Sequence, residues 1–224
     1  MTDLVRVITT CTSRKLLSHI EDPVTSLPGF AAGSPTVQAE RLYTGGQHRR
    51  VMAGVSALRA SRPVEVWVIS ARAGLISGDQ ELGPYDDSFV GLPRDKVRAI
   101  ADRLRIAEDL RALVARPAAC TLLLAGNEYF DAARLDETIN WASPTLILAS
   151  PSRAARVPDD SRLRTVAVSQ ALAKLWSLPL TVLKGELAGR LLRRLADGTI
   201  SPEHLRGDDV LHVVHRSEPQ RVAC

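Results

Sequence analysis

Thr121-Leu122-Leu123-Leu124-Ala125-Gly126-Asn127-Glu128-Tyr129 sets a short apolar run directly against a polar turn, and the same break recurs three more times along the chain. Leu4-Val5-Arg6-Val7-Ile8-Thr9 gives way to Cys11-Thr12-Ser13-Arg14-Lys15. Residues 64–70 close on Ser70-Ala71-Arg72, and residues 145–149 run into Ser150-Pro151-Ser152-Arg153. Brief apolar runs bounded by turn residues read as strands buried on both faces, the pattern of a parallel sheet. If the four are parallel, their C-terminal ends meet at one edge, where loops and helix starts present side chains and backbone N–H groups to a common crevice. A single ligand site at the strand ends is therefore expected.

The length of 224 residues and an apolar content of 45% suit one α/β domain with a mostly parallel sheet, spanning 1–224. Cys11, Cys120 and Cys224 are scattered and cannot all pair, which favours a reducing compartment and a cytoplasmic protein. Residues 1–3 are no signal-peptide start, and no apolar run approaches the roughly 20 residues that span a bilayer, so no membrane association is expected. A net charge of +4 and a sequence pI of about 9.2, carried largely by arginine, lean toward nucleic acid; solvated arginine-bearing helix faces are the plain alternative.

Between the runs, residues 18–35 read as a long loop. Residues 36–43 read as a short helix, and Thr44-Gly45-Gly46-Gln47 as a capping box that starts a helix reaching about Ala60. Residues 71–89 hold many turn residues and no periodicity. The apolar positions Val97, Ile100, Ala101, Leu104, Ala107 and Leu110 predict one amphipathic helix over 95–115. Helices are further expected over 128–140, 162–176 and 180–196, with Ser150 and Pro151 as N-cap and first residue of another, and 209–215 as a final strand.

Chemistry-bearing residues cluster at the breaks. Gly45 and Gly46 at a helix start, with Arg49 and Arg50 in the next turn, suit an anion, although the Lys-Ser/Thr ending of a P-loop is missing. Ser70 and Arg72 precede Tyr85-Asp86-Asp87, an aromatic beside two carboxylates: the ring can stack on a base while a carboxylate steadies a developing cation or orients water. Asn127 can read a base edge as donor and acceptor, and Glu128 adds a third carboxylate. Ser150, Ser152, Arg153 and Arg156 can hold a phosphate. Each of these also has an ordinary reading as a cap or turn. The five histidines lack metal-ligand spacing, so neither metal nor cofactor is expected.

Cys11-x-Ser13-x-Lys15, Ala39-x-x-Leu42-Tyr43-Thr44-Gly45 and Ser70-Ala71-x-x-Gly74-Leu75 with Pro84-Tyr85 resemble the YaaA-like family of small bacterial proteins, labelled peroxide-stress proteins and implicated in DNA binding. Residues 123–128 and 146–153 resemble strand-end motifs of the uracil-DNA glycosylase superfamily. Ser150 stands for its histidine, Arg153 for its second proline, and Thr10–Lys15 replaces its water-activating Gly-x-Asp-Pro-Tyr. The likeness implies a three-layer sandwich with four to five central strands. It also implies a DNA glycosylase acting on a base other than uracil, such as glucosylated hydroxymethylcytosine, in anti-phage defence.

On that reading the catalytic carboxylate is Asp86 or Asp87, with Glu128 next. Tyr43 or Tyr85 stacks, Ser70, Arg72 and Asn127 contact the substrate, and Ser13, Lys15, Gly45, Gly46, Arg49, Arg50, Ser150, Ser152, Arg153 and Arg156 grip DNA. Competing readings are a non-catalytic YaaA-like DNA-binding protein and a nucleoside or nucleotide N-glycosidase.

Overall fold

The computed structural model describes residues 2–12, 15–16, 36–83 and 85–215; Ser13 and the expected loop over 18–35 lie outside them. Five strands run parallel: β1 (Val5–Thr10), β3 (Val64–Ser70), β6 (Cys120–Leu124), β7 (Thr145–Ala149) and β8 (Leu163–Ala167). With the antiparallel edge strand β4 (Gly74–Ser77) they form one sheet in the order β4-β3-β1-β6-β7-β8. A separate two-stranded ribbon pairs β2 (Val37–Gln38) with β5 (Glu81–Leu82). The four apolar runs are thus parallel strands, and β6 and β7 are buried along their whole length because helices cover both faces.

Alternate residues of each strand feed opposite cores. Ile8, Val68, Leu123 and Ile147 meet α1 (Ala39–Leu42), α3 (Arg94–Arg103), α4 (Ile106–Val114) and α5 (Asn127–Ala132). Val7, Val66, Leu122 and Leu146 meet α2 (Gly46–Arg59), α7 (Gln170–Leu175), α8 (Leu180–Ala196) and α9 (Val210–His215) on the other face. The architecture is a three-layer α/β sandwich whose sheet holds six strands rather than four or five. The approach of α2 to α8 is close enough that a Cβ on Gly185 would lie 2.3 Å from the Gln47 carbonyl oxygen.

Several local expectations are corrected. The N-cap of α2 is Gly45, without a side-chain cap, so Thr44 builds no capping box. Residues 71–89 contribute β4 and β5, the turn into β4 being made at Gly74 with φ +79°. The helix over 95–115 is two helices, α3 and α4, because Arg105 is left-handed at φ 55°. The break brings the Leu104 carbonyl to Gly74, where a Cβ would sit 2.8 Å away. Helix α5 ends at Ala132 rather than 140, with Arg134 also left-handed. Residues 163–167 form the edge strand β8, not a helix; being half-covered they lack the continuous apolar signature of the other strands. The terminal segment 210–215 is helical, since Val210 and Val214, one turn apart, share the buried face. Ser150 does N-cap α6 (Pro151–Ala154) with Pro151 in the first turn, but its side chain makes no cap bond.

No helix among the described residues is long and apolar enough to cross a membrane.

Candidate functional site at the strand ends

Parallel pairing carries Cys11, Ser70, Gly126 and Ser150 to one edge of the sheet. The ladders continue past the strands: Cys11 N–H donates to the Ile69 carbonyl at 3.0 Å and Ala125 N–H to Leu148 at 3.1 Å. The chain leaving β1 returns through α2 on one face, whereas the chain leaving β6 returns through α5 on the other. Adjacent strands whose connections part to opposite faces leave a crevice between their carboxyl ends, the usual ligand position in open α/β sheets. Here that point of divergence lies between β1 and β6.

At the β1 and β3 ends, hydroxyl groups form a bonded cluster beside the buried Lys15. Ser70 is fully buried; its Oγ accepts from Arg72 N–H at 3.2 Å and Ala73 N–H at 3.1 Å, and lies 2.9 Å from Tyr85 Oη. Tyr85 Oη is in turn bonded to Tyr43 Oη. The Tyr43 ring meets His48 edge-on, and Lys15 Nζ stands 4.6 Å from the centroid of the Tyr85 ring. On the adjoining side Cys11 Sγ and Tyr129 Oη are 2.8 Å apart, with Phe89 edge-on to Tyr129. Burial pushes the phenols of Tyr43, Tyr85 and Tyr129 well above the ordinary tyrosine range, so all three stay protonated at neutral pH. Of the two expected stacking rings, Tyr43 is 2% exposed and Tyr85 is the more accessible.

The β6 and β7 ends are charged and open. Asn127, exposed at the start of α5, accepts through Oδ1 from Ser150 Oγ at 2.6 Å, and Ser152 Oγ lies 3.5 Å from Ser150. Glu128 beside it is half-buried. Lys184, from the first turns of α8, donates to the Ala125 carbonyl at 2.5 Å. Burial draws its ammonium down to about 8 against the opposing pull of Glu128. Lys184 was not singled out in the sequence, although a signal existed: it interrupts the apolar stripe of Leu180, Leu183, Leu187 and Leu191. The contact of Cys11 with Tyr129, 118 residues apart, had no local signal.

The remaining expected residues divide. Asp87 is held by Arg72 at 3.0 Å, while Asp86 is exposed. Asp87 and Arg72 border a cavity of about 440 Å³ lined also by Ser88, Phe89, Lys96 and Arg103. Gly45 and Gly46 start α2, but Thr12 and Val182 press on them, each 3.0 Å from where a Cβ would be. Arg49 is exposed, and Arg50 is bound to Glu186 at 3.2 Å. Arg153 pairs with buried Asp131 at 2.5 Å; Arg156 pairs with Asp136 and reaches Asp131 at 3.8 Å. Arg94 and Arg98 join the same two carboxylates. The expected rim arginines are thus tied to carboxylates, but four arginines share Asp131 and Asp136 and three share Glu186, so both clusters keep a net positive charge; Ser150 and Ser152 stand at the start of the single-turn α6. Among the described residues no group of three or more His, Cys, Asp or Glu side chains is placed to hold a metal ion.

Residues 33–149, just over half of the chain, match DUF6884, a family of unknown function. No curated protein and no solved structure matches the chain. The matched segment carries Tyr43, Ser70, Tyr85, Asn127 and Glu128, while Cys11 and Lys184 fall outside it.

Proposed function

The chain belongs to DUF6884, a family of unknown function, and we propose that it is a DNA N-glycosylase. It flips a nucleotide carrying a modified base into the crevice between β1 and β6 and hydrolyses the N-glycosidic bond, leaving an abasic site. The observation that carries this reading is the half-buried Glu128 in the first turn of α5, next to Asn127 and on the same sheet edge as the bonded hydroxyls of Ser70 and Tyr85.

Breaking the bond leaves positive charge on the sugar, which a fixed carboxylate stabilises while it orients the attacking water. Of the three candidate carboxylates, Glu128 suits the task best: Asp87 is neutralised by Arg72, and Asp86 is solvated. Tyr85, anchored through its hydroxyl to Ser70 and Tyr43, offers its ring to the flipped base. Flipping costs a few kcal/mol, which stacking and the Asn127 contact have to offset. A glucosylated hydroxymethylcytosine substrate and an anti-phage role belong to the same proposal through the resemblance alone.

A second reading, hydrolysis of a free nucleotide, is favoured by one observation: Arg50, Arg153 and Arg156, expected to grip a duplex, are held in internal ion pairs with Glu186, Asp131 and Asp136. The two separate in one experiment. End-labelled duplexes with uracil, oxidised, hydroxymethylated or glucosylated bases are incubated with the protein and cleaved with alkali, alongside the corresponding mononucleotides assayed for released base. Cleavage at one modified base supports the glycosylase. Release from the mononucleotide only supports the second reading, and a gel shift without release leaves a binding protein.

A further inference from the structure

Lys184 is an ionisable group at the strand edge that the proposed hydrolysis does not use. Its Nζ lies at the carboxyl end of β6, bonded to the Ala125 carbonyl, because α8 is pressed onto the start of α2 through Val182 against Gly46 and Gly185 against Gln47. An ammonium has three donors, and this one spends a single donor on protein among the described residues. Glu186, two residues on, is taken by Arg50, Arg190 and Arg193. Glu128 faces Lys184 as the opposing charge, without a direct ion pair among the described residues. A leucine or methionine would continue the buried stripe of α8 at lower cost, so a role in packing does not explain a lysine there.

We infer that Lys184 is a nucleophile giving the site a second activity, strand cleavage at the abasic deoxyribose through an imine. The inference rests on the glycosylase reading, since it acts on that reaction's product. The neutral amine attacks the C1′ aldehyde of the ring-opened sugar, a C–N bond forms and water leaves. A C2′ proton passes to the Glu128 carboxylate, the C3′–O bond breaks and the 3′ phosphate departs with its electron pair. Water then hydrolyses the unsaturated imine, returning the amine, and no oxidant or reductant is consumed. Lysines serve as imine nucleophiles when desolvation keeps part of the amine unprotonated. The lowered ammonium of Lys184 meets that condition at neutral pH.

The test uses the full chain and a duplex with one preformed abasic site, trapped with borohydride. The adduct is located by mass spectrometry, and base release from the modified duplexes is measured in parallel. The expected result is a covalent adduct on Lys184 that falls about tenfold or more in Lys184→Arg, which keeps the charge and reach but is not a nucleophile at this pH. The thermal midpoint of the variant verifies that it is folded. Base release without an adduct, or an adduct undiminished in Lys184→Arg, overturns the inference and leaves the glycosylase reading standing. Absence of both base release and adduct overturns both.

Discussion

The two ends of the strand edge use polar residues in opposite ways. At β1 and β3, Ser70 and Tyr43 are buried and Tyr85 half-buried, and the three are uncharged and linked through their hydroxyls. At β6 and β7, Asn127 is exposed, and Glu128 and Lys184 are half-covered and incompletely paired. A saturated neutral network fixes geometry and resists water, whereas under-paired charge retains interaction energy for a ligand. The first end positions, and the second reacts.

That contrast can be broken by stability measurements. Ser70→Ala strands two N–H groups and the Tyr85 hydroxyl, so urea denaturation should show a loss of about 3 kcal/mol, against less than about 0.5 kcal/mol for Asn127→Ala. Equal costs would erase the distinction between the ends.

Lys184 sharpens it with the opposite sign. Its folded value of about 8 lies below the unfolded 10.5, so between those limits the unfolded chain binds more protons, and stability rises with pH across that window. Below pH 8 the buried charge is a standing cost. Lys184→Met, even after losing the bond to Ala125, should stabilise the fold at pH 7 by about 2 kcal/mol. The advantage should vanish toward pH 10.5; a destabilised variant at pH 7 would make the lysine a strut.

Smaller effects test the neutral end and the rim. All three tyrosines of the chain are held protonated by burial, so a spectrophotometric titration of the folded protein should show almost no phenolate at about pH 10, where an unfolded chain is half ionised. With Arg50, Arg153 and Arg156 paired internally, the log–log dependence of duplex affinity on salt should have a slope of only about two, and Arg153→Ala should alter it by less than about 0.5.

What could be read from the sequence follows from burial. Strands covered on both faces leave continuous apolar runs, so β3, β6 and β7 and their shared edge were legible. β8 was not, because an edge strand with Arg164 and Thr165 half-exposed keeps no uniform pattern. Val210 and Val214 suggested a strand by residue type but are spaced for a helix. The site residues were legible as far as they stand at strand ends, as Ser70, Asn127, Glu128 and Ser150 do. Their electrostatic state was not: the partners of Arg153 and Arg156 lie about 20 residues away in sequence, on another helix and the turn after it.

The most direct measurement is the rate of free-base release from a duplex carrying the preferred modified base, for the wild-type protein and Glu128→Gln under single-turnover conditions. The account predicts a fall of about 10²–10⁴ in the variant with duplex binding retained. Release that continues undiminished in Glu128→Gln, or that is lost only in Asp86→Asn, would move the chemistry away from the crevice between β1 and β6 and contradict it.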